Sequence, residues 1–245
     1  MLNPALQQKL TRLRLGGLKA SLPVRLQEAT ASRLSHLEFL ELILQDEEMV
    51  REDRQRDRRI KAAGFREIRR LDRFDWSFNP QINKQKIYEL AAGRYLEEGR
   101  DALMVGPPGV GKSHLAQALG YEAILQGKTV KYRSIFDLVG DLKQAEALEE
   151  GTKQINAYLK PDLLIIDDMG IKQLPKCAGE HLFEVVMRRY EVRSTLMTTN
   201  RPIEEWGKLI GDVPTAGAIL DRFLHHAEIL EMPGRSYRLK DRSRT

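Results

Sequence analysis

A single cysteine, Cys177, stands among the 245 residues. It leaves no intrachain disulfide and no thiolate zinc cluster, a usage that fits a reducing cytoplasm. No stretch approaches about 18 consecutive apolar residues, and the first fifteen (MLNPALQQKLTRLRL) lack an apolar signal core. Neither a membrane span nor secretion is expected. Aromatic residues make up only 7% of the chain, with Phe74, Trp76 and Phe78 clustered, which is sparse material for stacking single-stranded nucleic acid. Excess charge is also small. The net +5 divides into +4 over residues 1–80, −2 over 81–228 and +3 over 229–245. Basicity therefore sits at the two ends around a nearly neutral middle, a placement that suits an acidic partner held by the appendages.

With 42% apolar and 31% charged residues, the chain can bury a core. The first eighty residues read as helical. Asn3-Pro4 starts a short helix toward Leu15, Gly16-Gly17 interrupts, and Pro23 predicts a break or kink in the next helix. Ser35-His36-Leu37-Glu38 has capping-box spacing, and behind it Leu37, Leu40 and Leu44 recur at helical spacing. FDWSFNP (74–80) changes the texture, so the predicted domains are a helical 1–78 and an α/β 79–245. Beyond it, helices are expected over 84–97, 112–126, 135–150, 178–190 and 215–225, and another ahead of 163. Strands are expected over 102–105, 129–133, 163–166 and 194–198. Short apolar runs alternating with helices predict a parallel sheet covered on both faces.

Gly106-Pro107-Pro108-Gly109-Val110-Gly111-Lys112-Ser113 fits G-x-x-x-x-G-K-[ST], after an apolar strand and before a helix. The glycines let backbone N–H groups wrap a β-phosphate at the positive end of the helix. Lys112 supplies charge to the β- and γ-phosphates, and the Ser113 hydroxyl can ligate Mg²⁺. In LLIIDD (163–168), Asp167 emerges at the carboxyl end of a buried strand, where it can hold the same Mg²⁺, and Asp168 follows as the residue to polarise an attacking water. The strand STLMTT ends at Asn200, which can reach between water and γ-phosphate. His225 and His226 are adjacent on an expected helix, where side chains diverge by about 100°; they are read as packing or interface residues rather than metal ligands.

Phosphate loop, acidic strand end and asparagine-ended strand together resemble an AAA+ ATPase. The segments GAILDRFLHHAEILEM, GRSYRLK, EEW, FLELILQDEE and FDWSFNP narrow this. The chain resembles the IstB-type helper ATPases encoded beside the transposase in bacterial insertion sequences, a family close to DnaC-type helicase loaders and DnaA-type initiators. The resemblance implies a P-loop AAA+ domain without a full C-terminal lid, carrying a small all-helical N-terminal domain. It implies ATP and Mg²⁺ as cofactors, and Mg-dependent hydrolysis that requires self-assembly into a homo-oligomer. It also implies duplex DNA and the transposase as partners. Arg222 takes the place of an arginine finger, its alternative being a surface arginine paired to Asp221 or Glu228. Arg238 is either a second phosphate sensor or a DNA contact. The region 133–160 matches the place where related initiators insert a helix that lines a DNA channel. Lys131, Arg133, Lys143 and Lys153, with Arg66, Arg69 and Arg70 of the N-terminal run, are the candidate DNA contacts. Many AAA+ members carry Asp-Glu after the strand; Asp168 is one methylene shorter than that glutamate. A helicase loader is the second reading. A metabolite kinase, a third, leaves the basic helices unexplained.

Overall fold

The computed structural model describes residues 3–148, 151–171, 173–175 and 178–240. Cys177 and the last two residues of the helix predicted over 135–150 lie outside them. The chain forms two compact units that part between Arg58 and Arg59. That division lies inside a helix, ahead of the texture change at 74–80.

The first unit is helical. α1 (Pro4–Arg12) is capped by Asn3, whose side chain accepts from the Ala5 N–H at 2.9 Å. α2 spans Gly16–Ser32 and α3 His36–Ala63. Reciprocal bonds between Ser35 and Glu38, at 2.7 and 3.3 Å, make the predicted capping box. One expectation, a break at Pro23, is corrected. α2 continues through Pro23 without a break, and Leu18 and Leu22 in the turn ahead of the missing N–H are both buried in the unit's core. Leu37, Leu40 and Leu44 are exposed, and the buried face of α3 is instead Phe39, Ile43 and Glu47. Buried Glu47 accepts the Leu18 N–H at 2.9 Å and so caps the N-terminus of α2, while Arg51 neutralises it at 2.7 Å. A Cβ on Gly17 would come within 2.9 Å of the Asp46 carbonyl and of Val50, so the two helices touch there through backbone.

The second unit is built on a five-stranded parallel sheet. In chain order it runs α4 (Lys84–Ala91), α5 (Arg94–Glu97), β1 (Ala102–Val105), α6 (Lys112–Leu125) and β2 (Val130–Ser134). Then follow α7 (Ile135–Ala147), α8 (Gly151–Leu159), β3 (Leu163–Met169), α9 (Ala178–Arg189), β4 (Ser194–Thr199), α10 (Trp206–Ile210), α11 (Val213–His225) and β5 (Glu228–Glu231). The sheet order is β2-β3-β4-β1-β5, every pairing parallel. Side chains alternate across it. Met104, Ile165 and Leu196 meet α4 and α6 on one face; Leu103, Leu164, Ile166 and Met197 meet α7, α9, α10 and α11 on the other. Both faces are buried, which explains why the strands read as continuous apolar runs.

The helix predicted over 84–97 is two helices, broken at Gly93 with φ 81°. β5 escaped the sequence reading: Glu228–Glu231 has a single buried residue, Leu230, as suits a short edge strand. After β5 the described chain to Lys240 forms only one turn of 3-10 helix, Tyr237–Leu239. No helix among the described residues is long and apolar enough to cross a membrane.

Candidate functional site: a nucleotide cavity

The loop after β1 turns at Gly109 (φ 83°) and Gly111 (φ 108°), where L side chains are strained. A Cβ on Gly111 would also lie 2.6 Å from the Phe74 ring. The turn delivers Lys112 and Ser113 at the start of α6, whose N-terminal N–H groups point back into the loop. Lys112 is buried and donates to the Gly106 and Pro107 carbonyls at 2.6 and 2.8 Å. Burial lowers its pKa to about 8, against an attraction from Asp167.

Two strands away, β3 ends in a bulge. Its register with β4 shifts between Ile166 and Met169, and Asp168 is left at φ 66°. A bulge re-aims side chains, and here Asp167 and Asp168 part company. Asp167 is buried and accepts from Ser113 Oγ at 3.0 Å, from the Tyr132 hydroxyl at 2.5 Å and from Thr198. Asp168 instead pairs with Arg66 at 2.8 Å. Oxygen donors from Ser113 and Asp167, converging beside the lysine, are a donor set suited to Mg²⁺. Asn200, just after β4, lines the same cavity, and with its side-chain amide turned so that nitrogen faces them it donates to the Gly170 and Met169 carbonyls at 3.1 and 3.2 Å.

Apart from Gly106, Pro107 and the buried Asp167, which stand behind its surface, these groups line a cavity of about 620 Å³, the size of ordinary cofactor pockets. Pro108, Gly109, Val110, Gly111, Lys112, Ser113, Asp168, Asn200 and Arg238 all line it. So do Arg66 and Arg69, placed in advance among DNA contacts. The structure corrects a larger point as well. FDWSFNP, expected as a boundary between domains, is a wall of the cavity, supplied by Phe74, Asp75, Phe78 and Asn79. Buried Asn79 clamps this wall to the chain after β5: its side chain accepts from the Arg235 N–H at 2.9 Å and donates to the Arg235 carbonyl at 3.0 Å. Phe78 stacks edge-on against Tyr237 at 5.0 Å, and the Tyr237 N–H donates to the Gly109 carbonyl at 2.9 Å. Two segments far apart in sequence, 74–79 and 235–238, thus enclose the phosphate loop. The only hint in the sequence was the aromatic cluster itself.

The remaining candidates lie elsewhere. Arg222 does not line the cavity; its guanidinium stands 5.5 Å from the Tyr190 ring centroid and 4.0 Å from the Asp221 carboxylate. Arg70 lies over Tyr121 at 6.0 Å and pairs with Asp72. Half-buried Arg133 pairs with Asp141 at 3.2 Å, and burial lowers the pKa of Lys131. Lys143 and Lys153 are exposed on the two helices between β2 and β3.

A family profile described as IstB-like ATP binding protein matches residues 8–245. The chain belongs to that family. It is 34% identical over 237 residues to the protein named as ATP-binding in insertion sequence IS21 of Pseudomonas aeruginosa, covering 97% of this chain and 89% of that one. With the corresponding protein of IS5376 from Geobacillus stearothermophilus it shares 35% identity over 214 residues, 87% of this chain and 85% of that one. Among solved structures, the DnaC helicase loader aligns with a TM-score of 0.53 at 25% identity, over 60% of this chain and 86% of that chain. DnaA from Aquifex aeolicus, bound to AMPPCP, gives a TM-score of 0.56 at 23% identity over 67% and 50%. The fold is that of P-loop AAA+ proteins, and the family is that of ATP-binding proteins of insertion sequences.

Proposed function

We propose that this family member is a cytoplasmic, Mg-dependent ATPase that assembles as a homo-oligomer on duplex DNA and presents target DNA to the transposase of its element. The convergence of Lys112, Ser113 and Asp167 beside Asp168 carries the hydrolytic part of this reading. Lys112 takes the β- and γ-phosphates in place of the loop carbonyls it now holds. Ser113 and Asp167 would hold Mg²⁺, which neutralises charge on the transferring phosphoryl group. Asp168, released from Arg66, polarises the attacking water, and Asn200 orients it. Arg238 reaches the phosphates from the wall after β5. Arg222 stands outside its own cavity, the position needed by a finger that serves a neighbouring subunit. Helices 1–78, together with Lys131, Arg133, Lys143, Lys153 and Arg70, supply phosphate contacts that position DNA without reading its sequence. Electron microscopy of the full chain with duplex DNA and ATP tests assembly. No ordered complex, with Arg222→Ala hydrolysing at the unaltered rate, would overturn it.

The likeness to a DnaC helicase loader supports a second reading, in which the N-terminal helices grip a replicative helicase. A pull-down against both partners separates the two.

A further inference from the structure

Outside the nucleotide cavity, one set of metal-ligating side chains converges among the described residues. Glu191, His225 and His226 each bring a ligand atom to within 4.8 Å of the other two. The sequence argument against this set fails for a local reason. α11 ends at His225, and His226 is its cap residue at φ −125°, ψ 16°, so the helical step of about 100° no longer separates the two rings. Their centroids lie 4.0 Å apart.

Each imidazole is held by a neighbour from the turn after α9. Glu191, at φ 57°, places Oε1 3.1 Å from His226 Nε2. The Tyr190 hydroxyl lies 2.6 Å from His225 Nδ1, and its ring stacks on both histidines at 6.1 and 6.2 Å. An outer partner such as Tyr190 orients a ligand ring and lowers the cost of assembling a site, while Glu191 already stands at ligand distance from its neighbour. Arg222 lies beside the cluster, its guanidinium 5.5 Å from the Tyr190 ring centroid.

We propose that Glu191, His225 and His226 form a binding site for a divalent transition-metal cation of the zinc class. Two imidazole nitrogens and one carboxylate favour such ions over Mg²⁺ and Ca²⁺, which take oxygen ligands. The site is therefore chemically distinct from the Ser113–Asp167 pair. With three protein ligands it leaves a fourth position to water, and its exposure makes the metal exchangeable rather than a folding requirement. A bound ion ties the end of α11 to the turn between α9 and β4. This inference stands whether or not the chain hydrolyses ATP.

Calorimetry with zinc chloride on the full chain, in excess Mg²⁺ and without nucleotide, is the test. One zinc per chain is expected, with a Kd on the order of micromolar, weaker than closed structural sites. His225→Gln combined with His226→Gln should weaken it at least tenfold and Glu191→Gln by several-fold, while Cys177→Ser leaves it unchanged. Cobalt(II) should give a visible absorption band with the unaltered chain that the double variant loses, a readout independent of activity. Equal binding by the double variant, loss of binding in excess Mg²⁺, or no binding tighter than millimolar would each overturn the assignment. All three side chains are exposed, and retained ATP binding in the variants verifies their fold.

Discussion

Arg66 and Asp168, 102 residues apart in the chain, are joined by a 2.8 Å ion pair at the edge of the nucleotide cavity. Arg66 also faces Asp167 electrostatically and lies 5.9 Å from the Tyr132 ring centroid. The pair occupies the Asp168 carboxylate, so the segment before the sheet has a direct hold on the acidic end of the cavity.

Arg66→Gln should release that hold. The expected result is basal phosphate release raised several-fold without DNA, with ATP affinity changed less than threefold. Asp168→Asn should lower turnover by at least 10²-fold and keep ATP binding, the range for removing a residue that activates the nucleophile. A lower basal rate in Arg66→Gln would mean that Arg66 assists the reaction.

Lys112 makes ATP affinity pH-dependent. Burial lowers its pKa to about 8 in the free site, and bound phosphates raise it again. Above pH 8 binding therefore takes up a proton, and affinity should fall by up to about tenfold per pH unit. Below pH 7.5 the lysine is already charged and the dependence should flatten. A fluorescent-nucleotide titration from pH 6.5 to 9.5 measures this, and Lys112→Ala should abolish binding.

Asn79→Ala should open the wall of the cavity. The side chain satisfies both the N–H and the carbonyl of Arg235 from a buried position. Its loss leaves two backbone groups without partners, costing about 1–3 kcal/mol. Urea unfolding reads the stability loss, and the ATP Kd should rise in parallel, because Tyr237 would lose its hold on the Gly109 carbonyl.

Asp101 sets a second pH dependence at the opposite end of the sheet. It is buried and accepts the Thr195 N–H at 2.6 Å. Burial pushes its pKa up to about 7, with Arg189 opposing. A carboxyl that keeps its proton more tightly when folded stabilises the fold fully below its unfolded pKa of about 4, and that contribution is lost as pH rises through 7. The melting temperature should fall by several degrees between pH 5 and 8. In Asp101→Asn, whose amide oxygen still accepts the Thr195 N–H, this part of the fall should disappear.

The sequence alone determined the phosphate loop, the sheet strands from β1 to β4, the emergence of Asp167 at a strand end and the capping box at Ser35. Each is encoded in contiguous residues, by apolar runs, glycines that permit positive φ, or a side chain three positions from its backbone partner. Tertiary structure decided the rest. Asn79 finds Arg235 across 156 positions, FDWSFNP becomes a wall rather than a boundary, and Arg66 meets Asp168 at the cavity instead of standing free for DNA. β5 is stabilised by pairing with β1, and its own four residues carry little signal. His225 and His226 converge because the helix stops between them, a boundary that periodicity places only to within a residue or two. Local rules specify backbone conformation, whereas the meeting of distant side chains depends on which segments the packed sheet brings side by side.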